Sequence, residues 1–121
     1  MSHTATVQIE FENKEVLKAV CERLGLQFQE GLHSINLYQG SVAAEFSVKL
    51  PGWRYPIAIK GKEVKYDNYN GSWGKLRELE KLQDQYSRDV TIQQAEMSGL
   101  TWDEEIDEAT GEITLNLYDY S

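Results

Sequence analysis

Gly99-Leu100-Thr101-Trp102-Asp103-Glu104, running on to Leu115-Asn116-Leu117-Tyr118, is the stretch on which the fold turns, because an earlier stretch has the same form. Gly25-Leu26-Gln27-Phe28-Gln29-Glu30 runs on to Ile35-Asn36-Leu37-Tyr38. Both read Gly-Leu-x-aromatic-x-Glu and then aliphatic-Asn-Leu-Tyr, and both follow a segment with helical spacing. Strict alternation on either side of a turn is the mark of a hairpin. The pattern predicts strand, helix and hairpin, given twice.

Around the first copy the local signals agree. Ala5, Val7, Ile9 and Phe11 alternate with polar residues, a half-buried strand. Asn13 is placed to cap a helix, since its short side chain accepts from the first unsatisfied backbone N–H groups. Val16, Leu17, Val20, Cys21 and Leu24 fall on one helical face, and Gly25 sits where a left-handed glycine closes a helix. Gly31-Leu32-His33-Ser34 reads as the turn of the first hairpin. Val42, Ala44, Phe46, Val48 and Leu50 then alternate over the longest run, and Pro51-Gly52 turns the chain. Trp53, Tyr55, Ile57 and Ile59 share one parity. Pro56 lacks an N–H, so this strand is expected at an edge or to begin near the proline. After Gly61-Lys62, Val64 and Tyr66 start another short strand.

Ahead of the second copy lies a loop over 67–71, with Ser72 as the next capping candidate. Leu76, Leu79, Leu82, Tyr86 and Val90 then recur at helical spacing. The β-branched run Val90-Thr91-Ile92 predicts a bend or break there. A helical turn resumes to Met97 and stops at Gly99, and Thr110-Gly111 signals the second hairpin. The expected fold is a single α+β two-layer domain, an antiparallel sheet of six or seven strands with two helices on one face. Its repeat halves, about 4–40 and 64–120, are joined by extra strands over 41–63. A pseudo-two-fold axis would superpose Asn36 on Asn116, Tyr38 on Tyr118, and helix 14–24 on the start of helix 73–87.

Composition bounds the function. The 121 residues fit one domain with a core of its own. No apolar run reaches the length of a membrane span, and Met1-Ser2-His3-Thr4 has neither the basic nor the apolar region of a signal peptide. A single cysteine, Cys21, cannot make an internal disulfide, so a reducing cytoplasm is the expected compartment. A net charge of −8 argues against general nucleic-acid binding. The charge is segregated: Lys49, Arg54, Lys60, Lys62 and Lys65 face one acid, Glu63, between residues 49 and 65, whereas no Lys or Arg follows Arg88.

Catalytic signals are sparse. His3 and His33 are the only histidines, and Cys21 lies on the apolar face of the first helix, the place of a core thiol. Neither calls for a cofactor or a metal. The acidic run Asp103 to Glu108 fails the calcium-loop pattern, having Glu108 and Thr114 where glycine and glutamate are required. Gly71-Ser72-Trp73-Gly74 precedes a helix and could receive an anion there, but without the lysine of a phosphate loop; an ordinary helix start with Trp73 packed on the sheet also accounts for it.

If helices cover one face of the sheet, parity gathers Gln27, Gln29, Asn36, Tyr38, Arg54, Lys60, Asn116 and Tyr118 on the other. Rings to stack, amides to read polar edges and two cations suit a small anionic or nucleotide-like ligand. Asn36, Tyr38, Arg54, Lys60, Asn116 and Tyr118 are the candidate ligand-binding residues of a non-catalytic binding module. A protein-interaction or adaptor domain, self-associating into a homo-oligomer through the sheet face or its edge, is the alternative, since aromatics favour interfaces. An enzyme of unassigned reaction is the third reading.

Met1-Ser2-His3, Leu24-Gly25, Glu30, Tyr66-Asp67, Gly71-Ser72-Trp73-Gly74, Tyr86, Ala95, Gly99 and Gly111-Glu112-Ile113 carry a resemblance over nearly the whole chain. The sequence resembles the uncharacterised domain family that includes a hypothetical chloroplast reading frame of algae and its cyanobacterial relatives. These motifs are structural, and the resemblance implies no activity, cofactor, substrate or residue role.

Overall fold

A computed structural model describes residues 4–38 and 40–118. The chain runs β1 (Ala5–Gln8), α1 (Lys14–Leu24), β2 (Gln27–Leu37), β3 (Gly40–Lys49), β4 (Ile57–Lys60), β5 (Glu63–Tyr66), α2 (Leu76–Met97), β6 (Thr101–Ile106) and β7 (Ile113–Tyr118). Every strand pairing is antiparallel. Five strands form one sheet in the order β1-β5-β4-β3-β2, and β6 and β7 form a sheet of their own. The architecture is α+β, but the sheet has five strands, where six or seven were expected.

The first helix follows its local code. Asn13 accepts from the Val16 N–H at 3.1 Å, and Gly25 closes α1 at φ 71°. Alternation then builds the core. Val64 and Tyr66 of β5, Ile57 and Ile59 of β4, and Phe46 and Val48 of β3 pack with Leu17, Val20 and Cys21 of α1 and Leu79, Leu82 and Tyr86 of α2. Both helices therefore cover the same face. Each such side chain, fully buried, contributes ~1.5–3 kcal/mol. Trp53, only 2% exposed, closes one end of this core. Strand β4 begins directly after Pro56 and lies between β3 and β5, so the proline marks a strand start rather than an edge. Helix α2 does not break at Val90-Thr91-Ile92. Val90 packs against the core, and the Thr91 hydroxyl donates to the Ser87 carbonyl one turn back at 2.9 Å.

The repeat does not appear in three dimensions, because its two copies take different conformations. In the first, Gln27 to Leu37 is one strand that pairs with β3 along its length. Gly31-Leu32 is a bulge, with pairing resumed at His33 opposite Ala44. His33 pins that bulge: Nδ1–H donates to the Gly31 carbonyl at 2.5 Å, and Nε2 meets the Ser47 hydroxyl on β3 at 2.8 Å. In the second copy the chain folds back on itself, Trp102 facing Leu117 and Asp103 facing Asn116. Asp107 closes that loop, its Oδ1 accepting from Ala109 N at 2.8 Å and its carbonyl accepting from Gly111 N at 2.7 Å. A long partner strand, β3, keeps the first copy extended; the second copy has only itself to pair with. Asn36 and Asn116 consequently stand on different sheets.

A second apolar cluster contains Ile35, Leu37, Ala44 and Ala58, with Val42 and Tyr55 against it. Ala58 lies between Ile57 and Ile59, which face the helices, so its side chain points to the opposite face. Bulges bend a ribbon and increase its twist. Beyond Gly31 the β2–β3 ribbon brings Ile35, Leu37 and Ala44 against Ala58 on that face.

Candidate functional site

Where the ribbon ends, three separate segments meet. Trp73 stands at the centre. The Tyr69 ring stacks on it with centroids 4.7 Å apart and planes 23° from parallel. Tyr38, at the end of β2, lies 5.3 Å away and tilted, and Tyr55, from the turn before β4, meets it edge-on at 5.7 Å. The Arg54 guanidinium sits 4.9 Å from the Trp73 centroid and 5.7 Å from that of Tyr55. Tyr38 is 56% exposed and Tyr69 42%, so two of the rings present surface to solvent. Such pairs contribute ~0.5–1.5 kcal/mol beyond area burial, and a guanidinium over a ring adds ~0.5–2 kcal/mol.

The loop that carries Trp73 is built by its own backbone. The Asn68 carbonyl accepts from Gly71 N at 3.0 Å and Trp73 N at 2.9 Å. Asn68 Nδ2 donates to the Gly74 carbonyl at 3.2 Å. Asp67, wholly buried, accepts from Tyr69 N at 3.1 Å through Oδ1, while its Oδ2 has no hydrogen-bond partner among the described residues. Tyr69 adopts φ 46°, the left-handed region that costs a non-glycine residue ~1–2 kcal/mol. Two bonds tie this loop to the neighbouring turn: Arg54 N donates to the Trp73 carbonyl at 2.8 Å, and Trp53 Nε1 donates to the Lys75 carbonyl at 3.0 Å. Helix α2 starts only at Leu76 with Lys75 at its cap, so Ser72 is no cap and Gly71 to Gly74 is not a helix N-terminus.

The helix-free face beside the cluster is basic. Lys49, Lys60 and Lys65 each neighbour a core-facing residue along the strand, which turns them to this side, and Glu63 stands opposite Lys60. Glu45, which neighbours Phe46 on β3, faces the same way, so with Arg54 this side carries four cations to two acids, in a chain of net charge −8.

Of the residues expected from the sequence, the structure brings together Tyr38 and Arg54. Asn36 is exposed on the ribbon, and Lys60 is exposed on β4. Gln27 and Gln29 line a shallow cleft with Lys49 and Pro56. Asn116 and Tyr118 belong to the separate hairpin, where both donate to Asp103, at 2.8 Å and 3.0 Å. Tyr55, Tyr69 and Trp73 were not anticipated as binding residues. The signal for them was aromatic density: Trp53, Tyr55, Tyr66, Tyr69 and Trp73 fall within a short stretch of a chain with thirteen aromatics.

Cys21 is buried, and burial pushes its thiol up to about 11, with Glu22 adding to the shift. That removes the thiolate a nucleophile needs near neutrality. Ser47 and His33 are in hydrogen-bond contact, but the pair is engaged in holding the bulge. His3 lies outside the described residues. Among the described residues no group of three or more His, Cys, Asp or Glu is placed to hold a metal ion. No described helix is long and apolar enough to cross a membrane. Compared with known protein families, with curated proteins and with solved structures, the chain matches none.

Proposed function

We propose that the chain is a binding module for a small anionic ligand with a planar ring, nucleotide-like in its chemistry, seated on the Trp73 cluster. The observation that carries this reading is the convergence of Tyr38, Arg54, Tyr55 and Tyr69 on Trp73 beside a basic face. The partly exposed Tyr38 and Tyr69 rings offer stacking surface, and Arg54 with the neighbouring lysines attracts the anionic part. The uncharacterised algal and cyanobacterial family remains the kinship that the sequence motifs favour, and it assigns no role to any of these residues.

Calorimetric titration with adenosine monophosphate, adenosine and inorganic phosphate tests the reading. The monophosphate binds more tightly than either part alone, and Tyr38→Ala or Arg54→Ala each weakens it by about tenfold, the loss of one ring or charge contact. Failure of the monophosphate to bind, or equal affinity in both variants, rejects the reading. A second reading, a protein-interaction domain, rests on Met97, Ile106 and Leu117, large apolar side chains exposed around the hairpin.

A further inference from the structure

On the helix side of the sheet a groove of about 430 Å³ runs between the end of α1, the Pro51 turn, the first turns of α2 and Gly111 of the β6–β7 loop. Its volume falls in the range of small-molecule sites. Leu24, Leu26, Pro51 and Leu82 give it an apolar floor, and Leu24 is 41% exposed although it ends an amphipathic helix. Arg23, Arg77 and Lys81 stand around this floor, with Glu78 as the one acid in the lining.

Each of these cations has a carboxylate partner, at a long distance. Arg23 lies 3.3 Å from Asp89, Lys81 3.4 Å from Glu78, and Arg77 3.7 Å from Glu80. Charge-assisted hydrogen bonds close to ~2.7–2.9 Å, and exposed pairs such as these contribute little. Each cation can turn to a better acceptor at small cost. Gly111 leaves room for the Arg77 guanidinium beside the hairpin loop; a Cβ there would stand 3.2 Å from its Nη2. An apolar trough bordered by three cations and the single acid Glu78 keeps a local positive excess and suits an amphipathic anion.

We infer that this groove binds a medium-chain fatty-acid anion, with the alkyl chain on Leu24, Leu26 and Leu82 and the carboxylate between Arg77 and Lys81. The site lies across the sheet from the Trp73 cluster and does not depend on the reading given to that cluster.

The test is titration of the full chain with decanoate, kept below its micelle concentration, followed by amide and methyl NMR shifts. Decanoate moves the resonances of Leu24, Leu26 and Leu82, and 1-decanol, which has the tail without the charge, binds at least about tenfold more weakly. Arg77→Glu with Lys81→Glu lowers decanoate affinity by about tenfold or more, and Leu24→Asp, at an exposed position, abolishes binding while the fold persists. No binding of decanoate, equal affinity for decanol, unchanged affinity in the charge-reversed variant, or shifts centred elsewhere each overturns the inference.

Discussion

Replacing Gly74 by alanine puts the packing around Trp53 to a direct test. A Cβ at this position would stand 2.4, 2.6 and 2.7 Å from three atoms of the Trp53 indole. Carbon atoms rest at about 3.5–4.0 Å, so the ring must retreat by roughly 1 Å. It has nowhere to go. Tyr66 meets its edge with centroids 5.5 Å apart, Nε1 is bonded to the Lys75 carbonyl, and the residue is 2% exposed. Overpacking of this kind costs ~1–3 kcal/mol, and loss of the indole hydrogen bond adds ~1 kcal/mol. The sum, about 3 kcal/mol, is a large share of the ~5–15 kcal/mol that stabilises a domain. It corresponds to a fall in Tm of roughly 10 °C. Gly61→Ala is the control: its Cβ meets nothing, and only the strain at φ 59° remains, about 1 kcal/mol. Urea unfolding followed by near-ultraviolet circular dichroism measures both variants. If Gly74→Ala is within ~0.5 kcal/mol of the parent, or costs less than Gly61→Ala, the account of the Trp53–Gly74 contact is wrong.

Alkaline pH gives a second test. The folded state keeps the Cys21 proton up to about pH 11, whereas the unfolded thiol releases it near 9.0, so this contribution is fully present below pH 9 and is lost as pH rises through 11. The two-unit difference amounts to about 3 kcal/mol, and Cys21→Ala flattens the fall in stability over that window; identical slopes in the two proteins refute it. Truncation after Ser98 removes the β6–β7 hairpin, and because that hairpin pairs with no strand of the main sheet, the remaining chain keeps five strands and both helices by NMR. Loss of the whole fold on truncation would refute the independence of the main sheet from the hairpin. His33→Ala frees the bulge and speeds amide hydrogen exchange at residues 33–37 ahead of β4 and β5; uniform protection in the variant shows that the histidine does not hold the ribbon.

Much of the fold could be read from local signals. Asn13, Gly25 and the alternation from Val42 to Leu50 each depend on residues close in sequence, and each took the expected form. The repeat failed for a nonlocal reason. Gly31 to Ser34 and Asp107 to Gly111 are both plausible turns, and what separates them is the presence of β3 beside one and not the other. The same limit applies to the site. Tyr38 and Arg54 were found as an aromatic and a cation on the helix-free side, but their meeting at Trp73 depends on a ribbon bent at its bulge and on backbone bonds between the 67–75 loop and the Trp53 turn. Asn116 and Tyr118 were placed beside Asn36 only by the assumption of one continuous sheet.

The binding reading stands or falls on one resonance. Trp53, Trp73 and Trp102 give three indole N–H signals, of which Trp53 is sealed in the core and Trp102 lies against Arg88 on the far hairpin. On titration with adenosine monophosphate the account predicts a saturable shift of the Trp73 indole, with those of Trp53 and Trp102 unmoved. A ligand that binds while leaving Trp73 where it was would contradict it.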